Sequence, residues 1–409
     1  MKTSNERPKK HHNFWSRQTI KFNFMKMSRV LILALFALTM SCSSNSDDGP
    51  TVGGPTDGDG STGGEDDTTD DDVVETVFLK DVADFPIGNI VSASKLASSS
   101  SDNMKFRSVL SDDYNSITAE NDMKMANMFT GPDTYDFSDG DAIVAYAKEN
   151  GLRVHGHALV WHASIPEWLN SFNGTDEEFE AQIEGYVKAT VVHFAKEIDD
   201  NGNPIVTGWD VMNEYFDGGD IRQSLFRERM GDGYIEKLFT WAREADPDVK
   251  LFYNDYNIAG TPEKRNAIIS MVNTFQANNI PIDGIGMQMH MNHEWPTSDL
   301  PLAIEEISAT GLLVHGSELD VKVNSNNDIT SFTNERALAQ KRQFQRASYY
   351  YTTIVPEAQQ YGMTIWGFRD QDSWLYDGGT DWPLLYDNDF NTKMAYDGFM
   401  AGLEEQNPE

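Results

Sequence analysis

The chain has 409 residues, 39% of them apolar and 11% aromatic, enough to bury one large core. Its formal charge of −33 argues against nucleic acid and anionic lipid headgroups as partners, and no basic patch with interleaved aromatics occurs. The single cysteine, Cys42, excludes an intramolecular disulfide.

Residues 1–42 read as an export signal. Lys26 and Arg29 precede the apolar run Val30–Met40, which is too short to span a bilayer as a helix. The stretch Leu38-Thr39-Met40-Ser41-Cys42 resembles a bacterial lipoprotein signal. That resemblance implies that Cys42 is lipidated and becomes the new N-terminus. An ordinary secretory signal is the alternative. Residues 1–24 are polar and basic, so translation is expected to begin at Met25 or Met27. Residues 43–73 are Gly, Ser, Thr, Pro, Asp and Glu with almost nothing apolar, and a disordered acidic tether is expected. Asp47-Asp48 resembles the acidic patch of surface-exported lipoproteins of the Bacteroidetes. The expected location is the outer membrane, facing the cell surface, with a secreted or periplasmic protein as the alternative.

From Val74 to residue 405 the texture is that of one domain. Strands are expected at Gly88–Ala93, Ser116–Asn121, Arg153–Trp161, Val206–Glu214, Lys250–Tyr256, Gly284–His290, Leu312–Val321 and Met363–Asp370. Helical patterns fall between them, at Ser99–Leu110, Asp141–Glu149, Asp176–Glu197, Tyr234–Ala245, Pro262–Ala277, Leu300–Ala309 and Asn334–Gln360. A last helix is expected at Met394–Leu403. Eight near-continuous apolar strands alternating with helices predict a (β/α)8 TIM barrel. An open doubly wound sheet lacks support, because no Gly-rich phosphate loop follows any strand. No cofactor is expected.

In such a barrel the active site lies at the C-terminal strand ends. Those ends are polar or aromatic here. The second carries Glu120 and Asn121, with Lys124 just beyond. The third carries His155, His157, Trp161 and His162, and the fourth Asn213 and Glu214. The fifth ends in Asn254-Asp255-Tyr256-Asn257, the sixth in Gln288 and His290. The seventh carries Glu318 and Asp320, and the eighth leads through Trp366 to Asp370 and Trp374. Glu214 and Glu318 lie about three βα units apart, so barrel closure brings them across one opening. Two carboxyl groups roughly 5–5.5 Å apart would cleave a glycosidic bond with retention, one as nucleophile and one as acid and base. Their pKa values must then be set apart. Asp320 follows Glu318 by two residues and shares its face of the strand.

These segments are similar to glycoside hydrolase family 10, the retaining endo-β-1,4-xylanases. The resemblance runs from Ile87 to Met400. It rests on Asn115–Lys124, Gly156–His162, Trp209–Glu214, Tyr253–Asn257, Gly284–His290, Ser317–Asp320, Trp366–Asp370, Ser373-Trp374 and Pro383–Asp387. It implies hydrolysis of xylan by double displacement, with Glu214 as acid/base and Glu318 as nucleophile. It further implies that Asp320 holds His290, which orients Glu318, and that Asn213 bonds the sugar 2-hydroxyl. Glu120, Asn121, Lys124, His157, Trp161 and Gln288 match sugar-holding positions, and Trp366 and Trp374 match aromatic positions over the cleft. Xylan and xylo-oligosaccharides are the implied partners, and a monomer is expected.

Four positions depart from the family pattern: Met125 for Trp, Ser164 for Gln, Arg369 for a small polar residue and Met394 for Pro. The Ser164 change shortens a side chain on the glycone side. Three other readings remain. One is a metal hydrolase built on His155-x-His157 with His162 and His290; the spacing fits poorly, and no metal centre is expected. The second is a non-catalytic surface glycan-binding lipoprotein. The third is the same fold acting on β-1,4-glucan.

Overall fold

The apolar runs between Ile87 and Ile365 pair in parallel and close into a barrel. The structure is a computed structural model that describes residues 76–409. The expected export signal with Cys42, and the expected tether at 43–73, lie outside the described residues. We number the barrel strands β1 (Ile87–Val91), β2 (Ser116–Ala119), β3 (Arg153–Gly156) and β4 (Val206–Asn213). They continue as β5 (Lys250–Asp255), β6 (Gly284–Met287), β7 (Leu313–Lys322) and β8 (Gln360–Ile365). Each pairs with its neighbour in sequence, β8 returns to β1, and β4 pairs with β5, which completes the ring. A ring leaves no edge strand to template aggregation.

Helices cover the outside because their apolar residues recur at helical spacing. Tyr234–Ala245 buries Ile235, Leu238, Phe239 and Ala242 along one stripe. Helix Asp176–Phe194 starts at Thr175, whose hydroxyl accepts from Glu178 N–H while the Glu178 carboxylate accepts from Thr175 N–H. That reciprocal cap satisfies two otherwise orphaned amides.

All eight expected strands are present, but several boundaries differ. The expected helix Asn334–Gln360 stops at Ile354, because Pro356 forces Val355 into an extended conformation. A short 3-10 turn follows, and β8 therefore begins at Gln360 and ends at Ile365, earlier than expected. The third strand breaks after Gly156 and resumes at Val160–Trp161, which pairs with the end of β4. The sixth breaks after Met287 and resumes at His290–Asn292, which pairs with the end of β7. The hairpins Phe129–Gly131/Thr134–Tyr135 and Phe216–Asp217/Asp220–Ile221 were not anticipated, because such short segments carry no readable period.

Two irregularities matter for the site. On β4 the pairing with β5 slips at Val211, between Asp210 and Met212. Trp209 packs outward on Phe194, and Asp210 points inward to His155 on β3 and His157 just beyond it. Unbroken alternation would turn Met212 inward and Asn213 outward. The slip reverses this: Met212 touches Tyr234 on the helix, and Asn213 faces the interior. On β7 the pairing slips between Gly316 and Leu319, so Ser317 and Glu318 together oppose one residue of β8. Bulges re-aim side chains in this way beside active sites.

Candidate active site

The C-terminal mouth of the barrel holds a cavity of about 650 Å3. Glu214, from the end of β4, and Glu318, from the bulge of β7, both line it. Glu120, Asn121 and Lys124 enter from beyond β2, and His157 and Trp161 from beyond β3. Asn213, Gln288, His290, Trp366 and Trp374 complete the set read from the sequence. Asp320 lies beneath, fully buried.

Glu318 is held by two donors. The Asn254 amide donates to its Oε1 at 2.7 Å, and the Ser317 hydroxyl donates to the Asn254 carbonyl oxygen at 2.7 Å, which fixes the amide's orientation. His290 Nε2 lies 3.2 Å from Glu318 Oε2, while His290 Nδ1 lies 2.9 Å from Asp320 Oδ2. An imidazole facing carboxylates on both nitrogens can satisfy both only as the cation. Burial works against that charge, but Asp320 first and Glu318 second outweigh it, and the His290 pKa is pushed up to about 10. Burial alone would raise the Glu318 pKa; the His290 hydrogen bond and the neighbouring His157 and His290 imidazoles hold it below the usual carboxylate value.

Glu214 sits differently. Its φ is +60°, the left-handed region that a side chain disfavours by about 1–2 kcal/mol. Its Oε1 is 3.4 Å from the Gln288 amide, which also donates to Asn213 Oδ1 at 3.1 Å. His162 Nδ1 approaches its Oε2 to 3.8 Å, and burial together with Arg222 keeps that imidazole below its ordinary pKa.

The walls are aromatic. The Lys124 ammonium lies 4.9 Å from the centre of the Trp161 ring, and its pKa falls through burial despite the three glutamates around it. Trp366 meets His157 edge-on at 5.4 Å, and Trp374 meets His290 edge-on at 5.2 Å. Trp374 also donates from Nε1 to Asp320 Oδ2 at 2.9 Å, yet its ring stays 62% exposed, so one face is open to a ligand.

His155 and His157, the pair a metal reading would use, flank Asp210. His157 Nδ1 bonds its Oδ2 at 2.8 Å, and His155 Nε2 lies 3.0 Å from its Oδ1 at an angle unsuited to a hydrogen bond. Both histidines are thus engaged by one carboxylate, whose pKa they hold well below its ordinary value against the effect of burial.

Three further residues line the cavity. Tyr256 and Asn257, read from the sequence as part of the polar end of the fifth strand but given no role there, follow directly on β5. Trp295 lies in a loop after the resumed sixth strand, with no pattern to mark it. Of the departures from the family pattern, Ser164 is buried and its hydroxyl accepts from Ala126 N–H at 3.4 Å, and Arg369 bridges Asp372 and Asp102.

A parallel barrel with two carboxylates and aromatic walls at its C-terminal mouth is a site of the class that barrel glycosidases use. Residues 78–401 match the profile of Glycosyl hydrolase family 10, and the chain belongs to that family. It is similar to endo-beta-1,4-xylanase Xyn10C of Cellvibrio japonicus, 36% identical over 353 residues that cover 80% of this chain and 57% of that protein. A beta-1,4-xylanase of Dictyoglomus thermophilum is 35% identical over 306 residues, covering 71% of this chain and 82% of that one. The solved structure of a mutant of xylanase10C from Cellvibrio japonicus in complex with xylopentaose superposes with a TM-score of 0.75 at 35% identity, over 81% of this chain and 70% of that chain. This chain therefore spans little more than half the length of Xyn10C.

Proposed function

We propose that this protein is an endo-β-1,4-xylanase that cleaves internal xylosidic bonds of xylan with retention. The observation that carries the reading is the His290 cation clamped between Asp320 and Glu318, with Glu214 lining the same aromatic-walled cavity. The ionised Glu318 attacks the anomeric carbon while Glu214 gives its proton to the departing sugar oxygen. A covalent glycosyl-enzyme forms. Glu214 then takes a proton from water, whose oxygen attacks the same carbon and releases Glu318. Asn213 bonds the 2-hydroxyl in the transition state, and Glu120, Asn121, Lys124, His157, Trp161 and Gln288 hold the sugars. The relatives named as xylanases and the neighbour solved with xylopentaose favour xylan as the substrate.

Two variants test the roles. Glu318→Ala abolishes turnover on every substrate. Glu214→Ala loses xylan hydrolysis but keeps the first step on an aryl xylobioside with a good leaving group, and azide restores the second step as a glycosyl azide. Intact xylan hydrolysis in Glu214→Ala would overturn the assignment. Products from purified xylan against β-1,4-glucan separate this reading from the glucan alternative, and any turnover separates it from a binding protein.

We further propose that the protein acts as a monomer held to the outer membrane by a lipid on Cys42, with the enzyme facing the cell surface. Fatty-acid labelling of the wild type that is lost in Cys42→Ser, with release of that variant from the membrane fraction, is the expected result.

A further inference from the structure

Glu214 adopts a backbone conformation that its own side chain disfavours, so its surroundings must impose it. One half of the restraint comes from the barrel: the Glu214 N–H donates to the Asn254 carbonyl at 2.9 Å. The other half comes from Arg222, eight residues along and past the small hairpin. Its Nε donates to the Glu214 carbonyl at 3.0 Å, and its Nη2 donates to the Phe216 carbonyl at 3.0 Å. The same Nη2 reaches across to the residue that follows β5 and donates to the Tyr256 hydroxyl at 3.1 Å, on the cavity wall. The Arg222 backbone N–H closes the hairpin on the Tyr215 carbonyl at 2.8 Å. One guanidinium thus grips the chain on the exit side of Glu214 and ties it to a cleft-wall residue just past the next strand.

We propose that Arg222 is a positioning residue that fixes the left-handed turn at Glu214 and so aims its carboxyl at the bridging sugar oxygen. It touches neither carboxyl nor sugar; it acts through the backbone. The planar fork suits this task, since it serves acceptors in different directions from one rigid group. A lysine has the charge without the fork. The geometry also says which step depends on Arg222. Glu318 is held by Asn254 and His290, with no contribution from Arg222. Loss of Arg222 therefore impairs proton delivery and water activation and leaves nucleophilic attack intact.

The inference rests on Glu214 being the acid/base, and the experiment separates the two. Arg222→Met, Arg222→Lys and Glu214→Ala are compared with wild type on xylan and on 2,4-dinitrophenyl β-xylobioside. A misplacement of about 1 Å costs on the order of 10²-fold. We expect kcat/KM on xylan to fall by about that factor in Arg222→Met, while kcat/KM on the activated substrate stays within about threefold. On the activated substrate kcat and KM fall together, and azide restores kcat. Arg222→Lys shows the same split, less deeply, and carries the test if the methionine variant does not fold. Equal losses on both substrates, as a loop that merely unravels would give, overturn the proposal, as does unchanged activity on xylan. If Glu214→Ala itself lacks the split, the acid/base assignment is wrong and the role of Arg222 falls with it.

Discussion

His290 is the residue on which the charge state of the cleft turns. It donates to Glu318 on one side and to Asp320 on the other, and its pKa stands near 10 against an ordinary 6.5. A raised pKa means that protonation favours the fold. That stabilisation is fully present below pH 6.5 and is lost as pH rises through about 10. Glu318 is depressed, so its contribution runs the other way and is lost as pH falls through its lowered pKa. His290→Gln removes the cation. The acidic limb of kcat/KM, which reports ionisation of the nucleophile, should move to higher pH by about one to two units, because a hydrogen bond to a charged group is worth roughly 1.5–3 kcal/mol. The melting-temperature gap between wild type and variant should be widest near pH 6 and close as pH approaches 10. An unmoved acidic limb would show that Glu318 titrates without His290.

At the level of elements, the site depends on a glycine on β6 that leaves room for the Asn254 side chain of β5. Gly286 on β6 faces Asn254 on β5, and a Cβ added there would sit 2.2 Å from the Asn254 amide oxygen. The asparagine would have to move, and it is a donor to Glu318. Gly286→Ala is expected to cost about 1–3 kcal/mol of stability through overpacking. Its kcat should fall roughly ten- to hundredfold, the worth of one charge-assisted bond. Gly233→Ala is the control: a Cβ there meets nothing within 4 Å, and stability and activity should stay unchanged. Chemical denaturation and steady-state kinetics on the pair distinguish a local displacement from general weakening. The same elements show where a sequence reading stops. The polar tips of β4 and β7 are visible in the residue order, but the bulges at Val211 and at Ser317-Glu318 are defined by the neighbouring strands. Without them Asn213 would face the helices.

For the whole molecule, the described residues form one unit from the helix at Leu79 to the helix ending at Leu403. Every residue lining the cleft falls between 120 and 374. A chain beginning at Val74 is therefore expected to match the full chain in kcat/KM on xylan. Its melting temperature should lie within about 2 °C, which in a domain of this size corresponds to roughly 1.4 kcal/mol. A fall in either would assign residues 1–73 a part in the fold or the cleft. Barrel closure also explains the site's reach along the chain: Asn254 and Glu318 bond across 64 residues, and Gln288 and Asn213 across 75.

The residue order by itself determined the alternation of buried strands and helices and the acids carried by the fourth and seventh strands. It did so because apolar spacing and polar strand tips are local properties of the chain. Only the tertiary structure decided that His290 and Trp374 meet at one oxygen of Asp320, that Trp295 joins the cleft, and that Arg222 grips the turn at Glu214. Those contacts are set by closing the ring and by the slips in strand pairing. Both depend on which distant segments become neighbours, which no local period records.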